Sequence, residues 1–228
     1  MSRRLRSAVR RLRHLRRANS GMAMVEFAFF APILFLLGMG GTELANLAVT
    51  HMRISQAAMH IADNASRIGE RDTLSAQRIF ESDINDLLTG VNLQAGEAVG
   101  LYENGRVILS SLEQNSDGGQ WIHWQRCMGT KTAASAYGAQ GTGASGTDFP
   151  GMGPSGEEIQ AQANSAVMYV EVVYDYQPII GNEFASFLPA DEIRSSAAFT
   201  VRNSRDLTQI YQTTPAADVA SCDKYETL

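Results

Sequence analysis

The chain has 228 residues, 24 of them acidic and 19 basic, for a formal net charge of −5. The first 20 positions hold eight arginines (Arg3, Arg4, Arg6, Arg10, Arg11, Arg13, Arg16, Arg17) and no acidic residue, so removing that +8 from −5 leaves −13 on the remainder. An acidic body behind a basic leader argues against nucleic acid as the partner of the folded part, and the length leaves room for one modest domain.

After the leader, positions 22–41 are apolar except for Glu26. At about 1.5 Å of rise per residue, an α-helix over this run spans roughly 30 Å, the thickness of a hydrocarbon core. The arginine flank stays on the cytoplasmic side by the positive-inside rule, and the chain after Thr42 is exported. Pro32 removes one hydrogen bond inside the helix and bends it. A carboxylate within such a segment costs up to about 3 kcal/mol, which makes Glu26 a functional candidate. The plainer alternative is that Glu26, only ~6 Å inside the boundary, reaches the headgroups or is protonated. Gly38, Gly40 and Gly41 also allow a signal-type cut after the run.

The basic leader, Gly21 and Glu26 together resemble the class III signal of type IV pilin-like proteins, cut by a prepilin peptidase after the glycine. The wider pattern resembles the TadE-like pseudopilins of the tight-adherence (Tad, or Flp) pilus system. It is carried by Gly21, Val25-Glu26-Phe27-Ala28, Pro32 and Glu43, and covers about the first quarter of the chain. Processed Tad pilins often have tyrosine after the glutamate; Phe27 keeps the ring without the hydroxyl. The resemblance implies a cut between Gly21 and Met22 and a new α-ammonium on Met22 paired with Glu26 of its own or a neighbouring chain. Glu43 either makes a second polar contact at the outer face or faces water there. The implied partners are the lipid bilayer, other pilin-like subunits, the prepilin peptidase and a pilus assembly platform. The implied location is the bacterial inner membrane, single-pass, with a periplasmic C-terminal part, in a pilus or beside one.

Beyond the span, the helical period continues over 42–70. Leu44, Leu47, Ala48, Met52, Ser55, Met59, Ala62 and Ala65 form an apolar-to-small stripe. One helix of about 45 residues, ~70 Å long, is expected, ended by Gly69. A second helix is expected from a cap at Asp72 or Thr73 through Leu88, with Ala76, Ile79, Phe80, Ile84, Leu87 and Leu88 buried and Gly90 closing it. Strands over 98–102 and 107–112 flank Asn104-Gly105, a hairpin turn signal. A third strand covers 121–125 and leads into Cys127. Trp121 and Trp124, three apart, take opposite faces of it, one packing and the other facing a partner. Residues 129–156, rich in Gly, Ala, Ser and Thr, read as a long flexible surface loop that builds no core. Strand 166–176 turns Met168, Val170, Val172, Tyr174 and Tyr176 to the core. A loop through Phe184, Phe187 and Leu188 precedes a last strand over 195–203, then a polar tail. Helices followed by antiparallel strands make an α+β, pilin-like fold. The division is a leader over 1–21, a membrane helix over 22–41, its extension over 42–70, and a domain over 71–228.

The only two cysteines are Cys127 and Cys222. In an exported compartment they most simply form a disulfide, with two free thiols as the alternative. The four histidines are scattered and form no ligand motif, and no nucleophile elbow, phosphate loop or kinase signature occurs. The chain is therefore read as a non-enzyme without cofactor or metal. Two other readings stay open: an uncut, signal-anchored envelope scaffold, and a secreted adhesin or enzyme released after a cut near Gly41.

Overall fold

The computed structural model describes residues 21–70, 76–97, 99–181 and 192–227. The expected caps Asp72 and Thr73, and Phe184, Phe187 and Leu188, lie outside the described residues, as does the leader. The apolar run and the periodic segment after it form one α-helix, α1 (Met22–Ala65), continuous through Pro32. It contributes to two compact units whose boundary falls between Asn46 and Leu47. In the first unit, Phe27, Phe30, Leu34 and Leu37 are exposed, and the helix is long and apolar enough to cross a membrane.

The second unit is built on a four-stranded antiparallel sheet in the order β2-β1-β3-β4: β1 (Gly105–Gln114), β2 (Gln120–Met128), β3 (Val167–Asp175) and β4 (Glu192–Thr200). The part of α1 after Asn46 and a second helix, α2 (Glu81–Ala95), belong to the main core. There Ile54, Ala58, Ile61, Leu88 and Val91 pack with Val107, Leu109, Met168, Val170, Val172 and Tyr174 of the sheet. The expected core-facing residues of β3 are in this cluster, Tyr176 included. The buried face of α1 coincides with the expected stripe only in part: Ala62 and Ala65 are buried and Leu47 and Ser55 partly so, but the rest of the face is shifted. Met52 and Met59 are about half exposed, whereas Ile54, Ala57, Ala58, Ile61, Ala62 and Ala65 are buried. The two isoleucines, two helical turns apart, set the packing face, and the alanines beside them let the helix approach closely.

α1 ends at Ala65, four residues before Gly69. Its last carbonyl is taken by Arg205, whose Nη2 donates to Ala65 O (3.0 Å) and, just beyond the helix, to Ile68 O (2.9 Å). A cation at a helix C-terminus complements the helix dipole, while burial lowers the Arg205 pKa to about 10. Gly69 instead makes a tight return at φ +121, where a Cβ would meet Arg78 O at 2.6 Å. α2 both starts and ends later than expected. Gln77 and Phe80 are held in isolated bridges to Arg205 and Tyr211, so the chain before Glu81 stays extended. The Asp83 carboxylate accepts the Phe80 N–H (3.0 Å) and caps the helix, and Gly90 lies inside it.

The hairpin also differs. Residues 99–103 form no strand and the turn is not at Asn104-Gly105. Tyr102 is buried, its hydroxyl donating to Leu88 O (2.7 Å), which holds this stretch under α2. β1 pairs instead with β2 around an Asn115 turn, where Oδ1 accepts from the N–H of Asp117 (2.9 Å) and Gly119 (2.8 Å). A register shift after Ser111 makes His123 an extra residue in β2: Trp124 faces Ser111 and Ile122 faces Leu112.

The glycine-rich stretch does contribute to a core. Met152, with Tyr137 and Phe149, packs on the second face of the sheet against Leu112, Ile122, Val167 and Tyr169. The polar anchor of this cover is Glu171, 7% exposed, which accepts hydrogen bonds from Ser135 Oγ and the Ala136 N–H (2.8 Å). Burial raises the Glu171 pKa, outweighing the opposing effects of Ser135, Ala136 and Arg194. A folded pKa above the unfolded one (about 4.3) stabilises fully below the unfolded value and is lost as pH rises through the folded one. Glu171→Gln keeps an acceptor for Ala136 and removes the charge. Its thermal midpoint relative to the parent is expected to be higher at pH 7 than at pH 4; an equal difference at both would contradict this.

Candidate functional site

The residues singled out by sequence lie at the start of α1. Gly21 precedes the helix and is exposed, and Met22 is its first residue. Glu26 follows Met22 by four positions, which puts both on one helix face about 6 Å apart along the axis. Glu26 is exposed, as are Phe27 and Pro32, and its side chain makes no hydrogen bond or ion pair with the described residues. The first turn of α1 holds no acidic residue, so Glu26 is the first carboxylate the helix offers. A Cβ added at Gly38, Gly40 or Gly41 meets no atom within 4 Å, so the chain itself does not use their smallness. Thr42 Oγ1 donates back to Gly38 O (2.9 Å), satisfying its hydroxyl within the helix. Glu43 does not face water: it is 3% exposed and has a partner of its own.

The domain holds a second set of polar residues that sequence reading did not bring together. Glu113, buried, accepts from Ser111 Oγ (2.7 Å) and pairs with His123 Nδ1 (2.9 Å); His123 stacks on Trp121, with ring centroids 4.1 Å apart. The carboxylate stands between serine and imidazole. The serine therefore lacks the adjacent base that nucleophilic catalysis needs. Beside them Glu81 forms a bidentate pair with Arg126, Oε2 to Nε at 2.8 Å. The expected opposite placement of Trp121 and Trp124 does not hold. With His123 inserted, Trp121 faces Glu113 and Trp124 faces Ser111, two residues of β1 on one side of the pleat. Trp124 is buried in the main core. An acid inside an apolar strand, as at Glu113, was the available signal.

Cys127 and Cys222 are joined as a disulfide. Among the described residues no cluster of three metal-ligating side chains occurs.

Residues 21–67 match the family of TadE-like proteins. No curated protein and no solved structure matches the chain.

Proposed function

We propose that this chain, whose first helix is that of a TadE-like protein, is a minor pilin-like subunit. In this reading it is inserted through residues 22–41 with the arginine leader in the cytoplasm and the domain in the periplasm. A prepilin peptidase cuts it between Gly21 and Met22, and the product serves assembly of a Tad-type adhesion pilus or its secretion platform. Its partners are the bilayer, other pilin-like subunits and that platform. The observation that carries the reading is a coincidence of boundaries. The family match begins at residue 21, and the helix begins at Met22, where the proposed cut would leave the new terminus.

The chemistry follows from the spacing. Cleavage creates an α-ammonium, a group that ordinarily titrates at about 7.7–8.0, at the edge of a hydrocarbon phase where a bare charge is costly. A carboxylate one turn along gives it a counter-ion, on the same chain or on a helix packed alongside, so neither charge is left alone. Such a pair fixes axial register between helices more than it adds stability. Glu43 is assigned a second polar contact at the outer end of the span. The Cys127–Cys222 bond suits an oxidising, exported compartment. The test is Gly21→Val in cells with an active prepilin peptidase. It is expected to leave a product that retains the arginine leader and no longer co-isolates with other pilin-like subunits. A shortened product from the variant would contradict the cut assigned here.

A further inference from the structure

The outer edge of β2 is closed along its length. An open edge strand offers unpaired amides to any other strand. Here the N–H of Ile122 donates to Thr142 O (2.9 Å) and that of Gln125 to Gln140 Oε1 (3.1 Å), both from the glycine-rich connection. The N–H of Cys127 donates to Ala220 O (2.8 Å) and that of Gly129 to Glu226 O (2.9 Å), both from the C-terminal tail. The His123 bulge explains why the outward amide is even-numbered at 122 and odd-numbered from 125 on.

What seats the tail is a buried cation. Arg106 of β1 is 0% exposed. Its Nη1 donates to Gly129 O (2.9 Å) and Lys224 O (3.0 Å), and its Nη2 to Cys222 O (2.7 Å). The Tyr225 ring lies over the guanidinium, 4.1 Å from Cζ to the centroid. Further back, Asn85 Nδ2 of α2 donates to Asp218 O (2.8 Å). These contacts fall on both sides of Cys222. A single covalent tether would fix one point only, whereas the rigid guanidinium fork holds two carbonyls of the tail, Cys222 and Lys224, together with that of Gly129 at the end of the strand the tail covers.

We propose that residues 218–226 form a strap seated by Arg106 independently of the disulfide, and that this strap keeps the β2 edge from pairing with a second copy of the chain. The disulfide is then a second lock on a tail already in place.

Amide hydrogen exchange on the full chain in detergent micelles, with light scattering for oligomeric state, tests this. The Cys127→Ser/Cys222→Ser double variant is expected to keep the amides of residues 127 and 129 protected and the protein monomeric. Arg106→Met and, separately, Tyr225→Ala in the oxidised protein are expected to speed exchange at Gly129 about tenfold or more with the disulfide intact. Arg106→Met is also expected to self-associate. Tyr225 is half exposed, so Tyr225→Ala carries the test if Arg106→Met does not fold. Loss of protection in the serine variant, or unchanged exchange at Gly129 in Tyr225→Ala, overturns the seating role. An opened edge that stays monomeric in Arg106→Met overturns the edge role.

Discussion

Glu26→Ala is expected to leave the cut after Gly21 intact and to abolish assembly with other pilin-like subunits. The side chain is exposed and makes no hydrogen bond or ion pair with the described residues, so its removal is expected to leave the folds of α1 and of the domain as they are. What it removes is the counter-ion for the ammonium of Met22. An unpaired charge in a hydrocarbon phase costs up to about 3 kcal/mol, less towards the edge, so its effect on an association equilibrium is at most on the order of a hundredfold. Glu26→Asp, one methylene shorter, is expected to fall between parent and alanine. Intact mass reports the cut and co-isolation reports assembly. The account requires the two to separate. Unchanged assembly in the alanine variant would remove the pairing role.

The second large effect is on the domain. Glu81→Ala is expected to destabilise it by about 3–5 kcal/mol, because it leaves the Arg126 guanidinium buried without its counter-ion. The side chains of the pair are 5% and 11% exposed, and two hydrogen bonds join them. For a domain of this size the loss corresponds to a fall in thermal midpoint of roughly 10 °C. Replacing both partners with methionine is expected to cost less than the single substitution, since no charge is then stranded. Thermal unfolding of the three variants checks the order. A single-variant loss below about 1 kcal/mol would show that water reaches the pair.

The sequence made the first helix legible because its signals are local and strong. An apolar run of membrane length, a basic flank and one carboxylate at short range from a glycine are each readable without knowing what lies opposite. The same holds for β3, whose alternation put Met168, Val170, Val172, Tyr174 and Tyr176 on the core side. Tertiary pairing decided the rest. Residues 77–80 have helical periodicity, yet their backbone is taken by Arg205 and Tyr211 from the far end of the chain. Asn104-Gly105 is a good hairpin turn in isolation. Here a Cβ at Gly105 would meet Leu101 O at 2.7 Å and Val173 O at 2.9 Å, so the glycine serves close packing instead. The glycine-rich stretch has few apolar side chains, but Tyr137, Phe149 and Met152 suffice to cover a sheet face once Glu171 anchors it. Arg106 reads as an ordinary turn-flanking charge, and only the fold shows it beneath the tail.

The most direct measurement of the central claim is the intact mass of the parent protein isolated from membranes of cells with an active prepilin peptidase. The account predicts a chain beginning at Met22, its arginines gone and its helix retained. A mass beginning at Met1 or Ser2 would contradict it and leave an anchored envelope protein; one beginning near Thr42 would contradict it and leave a released one.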